Sequence, residues 1–429
     1  MRIVMISDTH FGDPMCTLVD HEALMEHQTV KRGKKYNVFF EKAGQNNDYL
    51  ILLGDIIDFS IVGYANAYKV AKAFFRLIKQ DKIAKSIIYV PGNHDFDMWH
   101  TVEHQINIIY QVGKGRPARQ FRWSVPGLIE DRKDRKNRGF QLPGVTDVVN
   151  PEEVIGEKIF LNYITKSGDD PKEETNFYFA YPNLYFVTDK ESVLLTHGHY
   201  LEAYWSMMGE WAMKIGQKDL RTGNALDLWE LVAINFPPCQ IACSGIGQAG
   251  PLTGVVRKVQ REVKDQELDR VEKYLNRLDD EIDKLTPYRF YDPREWGIDL
   301  GSKYLRKKIL KKLKGFKDTR YSEDFIVKKE VQDRFRNFYE ASWVEIGKLN
   351  QEHGLNIPKP QKVIFGHTHR PIKWNDAEAP TQEIGETQVT LYNTGGWLWR
   401  QPKGGQRQFC GAAVFTYDPQ HGFASHPIM

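Results

Sequence analysis

Five times along this chain an apolar run of strand length stops on aspartate, asparagine or histidine, or on a glycine beside one. RIVMIS leads into Asp8, YLILL into Gly54 and Asp55, SIIYVP into Gly92, SVLLT into His197, and VIF into Gly366. Helix-like stretches near residues 36–45 and 64–80 separate the first three runs. Alternation of this kind predicts an α/β core whose strands are covered on both faces. Ligands of such sheets sit where strands end, and here every strand end is polar.

The rest of the chain departs from that rhythm. TQVTLYNT and CGAAVFTY alternate in polarity and read as antiparallel strands completing a second sheet. Residues 113–150, dense in Gly, Pro and charge, read as an exposed loop. Residues 201–360 are helical in pattern, so a core of residues 1–200 and 361–429 is expected to carry a helical cap insertion. Within it Leu268, Val271, Leu275, Leu278, Ile282 and Leu285 form a heptad stripe. The stripe lasts under three heptads, which suits a helical hairpin better than a free coiled coil.

The strand-end residues are Asp8 and His10 in SDTH, Asp55 and Asp58 in GDIID, Asn93, His94 and Asp95 in GNHD, His197 in THGH, and His367 and His369 in GHTH. A lone Asp-x-His serves equally well as a cap or a satisfied polar pair. Five clusters together are different: converging carboxylates and imidazoles with few lysines or arginines among them call for cations between them. Mixed oxygen and nitrogen donors suit two first-row divalent ions, Mn, Fe or Zn, with Mn favoured. Cysteine is absent from the set, which argues against a structural zinc site. In FGHTHRP the side chains of His367 and His369, two positions apart in an extended chain, face one place.

Composition excludes little else. Net charge is +3 across 429 residues, without the bulk basicity that often marks a nucleic-acid binder. The four cysteines form no metal or disulfide framework and fit a reducing compartment. The opening MRIVMISDTH starts a strand at once, which leaves no room for a signal peptide and predicts a cytoplasmic protein. The uncharged run Leu231–Val256 is broken by Pro238, Gly245, Gly247 and Pro251, so a bilayer span is not expected from it.

DxH, GDxxD, GNHD, His-Gly and GHxH in this order resemble the calcineurin-like metallophosphoesterases, over roughly residues 1–112, 176–200 and 361–429. The resemblance implies a four-layer α/β/β/α sandwich with its site at one rim. It implies one ion held by Asp8, His10, Asp55 and His369, and a second by Asp55, Asn93, His197 and His367, with Asp55 bridging. The reaction implied is hydrolysis of a phosphoester or pyrophosphate, hydroxide held between the ions attacking phosphorus. His94 is then the candidate general acid, and Asp58 resembles the carboxylate that orients it. Asp95 is assigned a structural role. His199 is left open between contact with the second ion or substrate and none.

Phosphoprotein phosphatases of this superfamily carry Arg-Gly after the second Asp of GDxxD and Glu at the position of Asp95. Here Phe59 and Ser60 follow Asp58, so that activity is not expected. GHTHRP followed by LYNTGGW is similar to the UDP-diacylglucosamine pyrophosphohydrolase branch, yet 170 positions separate His197 from His367, far more than in that branch. The substrate therefore stays open between a small, nucleotide or lipid-linked phosphoester and, as a nuclease, DNA or RNA. The basic amphipathic segment KYLRKKILKKLKGFK, 303–317, suits peripheral contact with an anionic membrane, or less readily a nucleic-acid backbone, or a plain solvated helix. A scaffold that has lost its chemistry should lack ligand positions, and none is missing.

Overall fold

The computed structural model describes residues 1–134, 138–143, 176–206, 209–210, 213, 226–244, 273, 324–401 and 405–429. Two compact units emerge, residues 1–248 with 323–429 and residues 249–322, and every element named here belongs to the first. The heptad stripe and the basic segment 303–317 lie outside the described residues.

The first sheet contains β1 (Ile3–Ile6), β2 (Asn47–Leu52), β3 (Ala84–Tyr89), β6 (Asn176–Phe179), β15 (Ala412–Asp418) and β16 (Gly422–Ile428), in the order β16–β15–β1–β2–β3–β6. The second contains β4 (Gly127–Asp131), β5 (Gly139–Gln141), β7 (Asn183–Thr188), β8 (Ser192–Thr196), β9 (Lys362–Phe365), β10 (Pro371–Ile372) and β12 (Thr387–Thr394). Its order is β10–β12–β9–β8–β7–β4–β5, with β11 (Thr381–Ile384) also on β12. A ribbon of β13 (Trp399–Arg400) and β14 (Gln408–Phe409) lies apart.

Period-two alternation sorts the strand residues into layers. Ile3, Met5, Ile51, Leu53 and Ile88 point inward against Phe186, Val193, Leu195 and Ile364 of the second sheet. Val4, Ile6, Leu50 and Leu52 point outward onto helices α1 (Tyr36–Ala43) and α2 (Tyr64–Gln80), through Phe39, Val70 and Phe74. The outer face of the second sheet, with Leu194, Val363 and Phe365, takes α5 (Lys329–His353) through Phe335, Phe338 and Ile346. Between these in sequence lie α3 (Phe96–His104) and α4 (Leu228–Cys243). Helix, sheet, sheet, helix is the expected four-layer sandwich.

Two local expectations fail. TQVTLYNT becomes β12 in the second sheet as expected, antiparallel to β10 and β11 and parallel to β9, whereas the CGAAVFTY segment becomes β15, antiparallel to β1 in the first sheet. Alternation fixes which face of a strand is buried and says nothing about its neighbour. Residues 113–150 are not all loop, since β4 and β5 lie within them. Glu130 and Asp131 disguise β4, because both are buried there: Arg132 pairs with Glu130, and the Tyr417 hydroxyl donates to Asp131 at 2.9 Å. In the uncharged run, α4 turns Val232, Ile234, Cys239 and Cys243 inward. Among the described residues no helix is long and apolar enough to cross a membrane.

Glu345 on α5 joins the helix to the second sheet, accepting from the hydroxyls of Ser124 and Tyr185. Burial pushes its carboxyl up from 4.5 to about 7, and the hydrogen bonds from Ser124, Tyr185 and Asn183 only partly oppose that. A carboxyl raised in the folded state stabilises the fold below its unfolded value of 4.5, and that stabilisation is lost as pH rises through about 7. Urea unfolding of Glu345→Gln beside the unsubstituted protein should show the variant gaining about 2 kcal/mol in relative stability from pH 5 to pH 8.5. A pH-independent difference would contradict a protonated Glu345.

Candidate metal centre

Register brings the predicted residues to one rim. Ile6 pairs with Leu52, and Leu52 with Tyr89, so Asp8, Asp55 and Asn93 leave the first sheet at one level. Leu195 pairs with Ile364, so His197 and His367 leave the second sheet together. The loops are tied directly: Asp8 N–H donates to Gly54 O at 3.0 Å, His10 N–H to Asp55 O at 2.9 Å, and Gly366 N–H to His197 O at 2.9 Å. His367 N–H closes the gap between sheets by donating to the Asp8 carboxylate at 2.9 Å.

Backbone strain concentrates at this rim. Asp8, His10, Asp55, His367 and His369 all hold positive φ, between 46° and 67°. Each such non-glycine residue costs on the order of 1–3 kcal/mol and persists only where its surroundings fix it. Half of the ten left-handed non-glycine residues described are therefore candidate ligands. Asp95 helps to fix them, accepting from the backbone N–H groups of Gly92 at 2.6 Å, Ile56 at 2.7 Å and Asp55 at 3.2 Å, and from the Tyr89 hydroxyl. This carboxylate fastens GDIID to GNHD. A Cβ on Gly92 would collide with Asp55 Oδ1, which accounts for the glycine without any turn argument.

The side chains form three groups whose donor atoms lie within 4.8 Å of one another: Asp8, His10 and His369; His10, Asp55 and His94; and Asp55, His197 and His367. His10 Nε2 faces His369 Nε2 at 3.0 Å, and Asp8 Oδ1 is 3.2 Å from His369 Nε2. Asp55 Oδ2 stands 3.8 Å from His10 Nε2 and 3.2 Å from His197 Nε2, fully buried and without a hydrogen bond. Asn93 Oδ1 is 3.1 Å from His197 Nε2.

The electrostatics fit bound cations. Burial alone would lower His10, but the Asp58 hydrogen bond and the charges of Asp58, Asp55 and Asp8 lift it to about 9. His197 also rises to about 9, Asp55 outweighing its burial. Asp55 and Asp58 lie well below the usual carboxylate range despite burial, held down by the imidazoles. Protons on buried histidines thus supply charge that divalent ions would supply in their place. With Asp55 Oδ2 making no hydrogen bond of good geometry and two imidazole nitrogens facing it, the residues present fit metal.

His94 is the most open of these side chains, 13% exposed against 4% or less for Asp8, His10, Asp55, His197, His367 and His369. Its Nδ1 lies 2.9 Å from Ser60 Oγ and 3.2 Å from Asp58 Oδ2. Asp58 divides its oxygen, since the same Oδ2 is 2.8 Å from His10 Nδ1. His199 is buried beside His197, ring centroids 5.6 Å apart, with neither ring nitrogen hydrogen-bonded and in none of the three groups. Sequence reasoning passed over Ser60 and Glu202, whose Oε2 is 2.9 Å from His367 Nε2. Ser60 carried a signal, standing where a phosphoprotein phosphatase has the glycine of Arg-Gly; Glu202 carried none.

LYNTGGW braces this rim. Asn393 donates from Nδ2 to Gly366 O at 2.6 Å and accepts from Gly395 N–H at 2.7 Å, while Trp397 N–H donates to Asp8 O at 3.0 Å. A model of the calcineurin-like phosphoesterase family matches residues 1–279, taking in the motifs from Asp8 to His197 and stopping before His367. No curated protein matches the chain.

Proposed function

The chain belongs to the calcineurin-like phosphoesterases, metal-dependent hydrolases of phosphoric esters, and on that premise we propose a dinuclear centre acting on a phosphoester or pyrophosphate. One ion takes Asp8, His10, Asp55 and His369; the other takes Asp55, Asn93, His197 and His367. The observation that carries the pairing is Asp55, whose unbonded Oδ2 lies between His10 and His197 and whose residue belongs to two of the three donor groups. Mn suits this oxygen–nitrogen set, with Fe and Zn as the other fits.

Two such ions, when bound, activate the attacking water and neutralise the phosphoryl oxygens. The chain's own residues do the rest. Asp58 engages His10 at Nδ1 and the Leu53 carbonyl engages His197 at Nδ1, so each presents Nε2 to the ions. His94, held at Nδ1 by Ser60 and Asp58, has Nε2 left to deliver a proton to the leaving oxygen.

The substrate we propose is a nucleotide or lipid-linked phosphoester, reached in the cytoplasm with peripheral membrane contact through residues 303–317. LYNTGGW lends this no weight, because its role is to brace the metal loops. The missing Arg-Gly pair supports a substrate other than a phosphoprotein. A nuclease is the second reading, favoured by exposed Lys114, Arg116 and Arg119. Elemental analysis of the purified protein should find about two transition-metal ions per chain. A Mn-supplemented panel of mononucleotides, UDP-sugars, lipid-linked pyrophosphates, cyclic nucleotides and DNA then separates the readings. Turnover of DNA alone would make the enzyme a nuclease, and no affinity for Mn, Fe or Zn would end the metal reading altogether.

A further inference from the structure

We propose that Glu202 is a positioning residue for the second ion: its carboxylate holds the proton of His367 on Nε2, so that Nδ1 is the nitrogen His367 offers to metal. The proposal rests on His367 being a ligand. A carboxylate can only accept, so at 2.9 Å the His367 Nε2 must be the N–H donor. Trp205 Nε1–H donates to the same Oε2 at 3.1 Å, which fixes the carboxylate in turn. Both partners are enclosed, with side chains 0% and 11% exposed for His367 and Glu202, so water competes little for the bond.

Glu202 joins none of the three donor groups, while His367 groups with Asp55 and His197. The pattern across the site is informative. His10 and His197 are engaged at Nδ1, by Asp58 at 2.8 Å and Leu53 O at 2.9 Å, and so turn Nε2 inward. His367 is engaged at the opposite nitrogen and turns Nδ1 inward. The backbone of His367 is left-handed, φ 67°, where the chain leaves the second sheet. The 3-10 turn His199–Leu201, entered through Gly198 at φ 100°, carries the chain from His197 to Glu202. One segment therefore supplies both a ligand and the group that orients its neighbour.

Partners of this kind change metal affinity by roughly 10–100-fold. Titration of the chelated full-length protein with Zn²⁺, followed by elemental analysis, should show Glu202→Ala weakening one of two ions by about that factor and sparing the other. Glu202→Gln, whose amide oxygen still accepts, should restore most of the loss, which a purely structural role would not require. His367→Ala is the control: if it abolishes one ion while Glu202→Ala binds both normally, this proposal fails and the ligand assignment stands. If His367→Ala keeps two ions, the assignment and the proposal fall together. ¹⁵N NMR of the histidine-labelled, unsubstituted zinc form reads the tautomer without any variant. A protonated Nε2 is expected at His367, and a protonated Nδ1 would overturn the idea even if Glu202→Ala does not fold.

Discussion

Asp55→Asn is expected to reduce bound metal from about two ions per chain to one or none and to cut turnover on the order of 10³-fold or more. Asp55 is the carboxylate common to two donor groups, and its Oδ2 faces the His197 and His10 imidazoles at 3.2 Å and 3.8 Å. Asparagine keeps the shape and the acceptor oxygen toward His94 N–H, now 2.8 Å from Oδ1. It removes a full negative charge from a fully buried position and places either an amide N–H₂ or a neutral oxygen against two cations. Charge stabilisation of several kcal/mol is at stake in a two-metal site, and each 1.36 kcal/mol is a factor of ten in rate. Elemental analysis and turnover on an artificial phosphodiester with excess Mn²⁺ measure the two effects separately. A variant holding two ions with near-normal turnover would show that Asp55 bridges nothing.

How much of this was visible in the sequence depends on what kind of information each feature carries. Asp8, His10, Asp55, Asn93, His197, His367 and His369 were readable because each stands at the end of an apolar run, and strands in register deliver their ends to one rim. Asp95 was readable as a supporting group, and it fastens two loops through three backbone N–H bonds. Glu202 was not, because its partner lies 165 positions away and no periodicity links a carboxylate to a distant imidazole. The misplacement of β15 has the same origin: its inward residues Ala413 and Phe415 looked right for any sheet, and only the backbone pairing with β1 chooses between them. LYNTGGW was legible as a motif while its work was not, since its bonds run to the backbone of two other motifs.

The five left-handed candidate ligands bear on stability as well. A fold that maintains that much local strain must over-determine it, here through inter-loop hydrogen bonds and the Asp95 carboxylate. The same bonds hold the candidate donors in fixed positions relative to one another.

His94→Ala should leave that centre intact and slow turnover by about 10²–10⁴-fold, the range for removing a general acid. Geometry separates this residue from the ligands around it. Its Nδ1 is committed to Ser60 Oγ and Asp58, and its side chain is the most exposed of the site histidines named above. The imidazole stands edge-on to that of His10, with ring centroids 4.9 Å apart. His94 also joins one donor group, with His10 and Asp55, so direct ligation is the competing role. Metal content decides between them: a general acid leaves about two ions bound, a ligand does not. The leaving group offers a second criterion. An ester of a good leaving group, such as p-nitrophenol, needs little protonation, so His94→Ala should suffer far less with it than with an alkyl ester. Equal losses on both esters, or loss of an ion, would remove His94 from the role of proton donor.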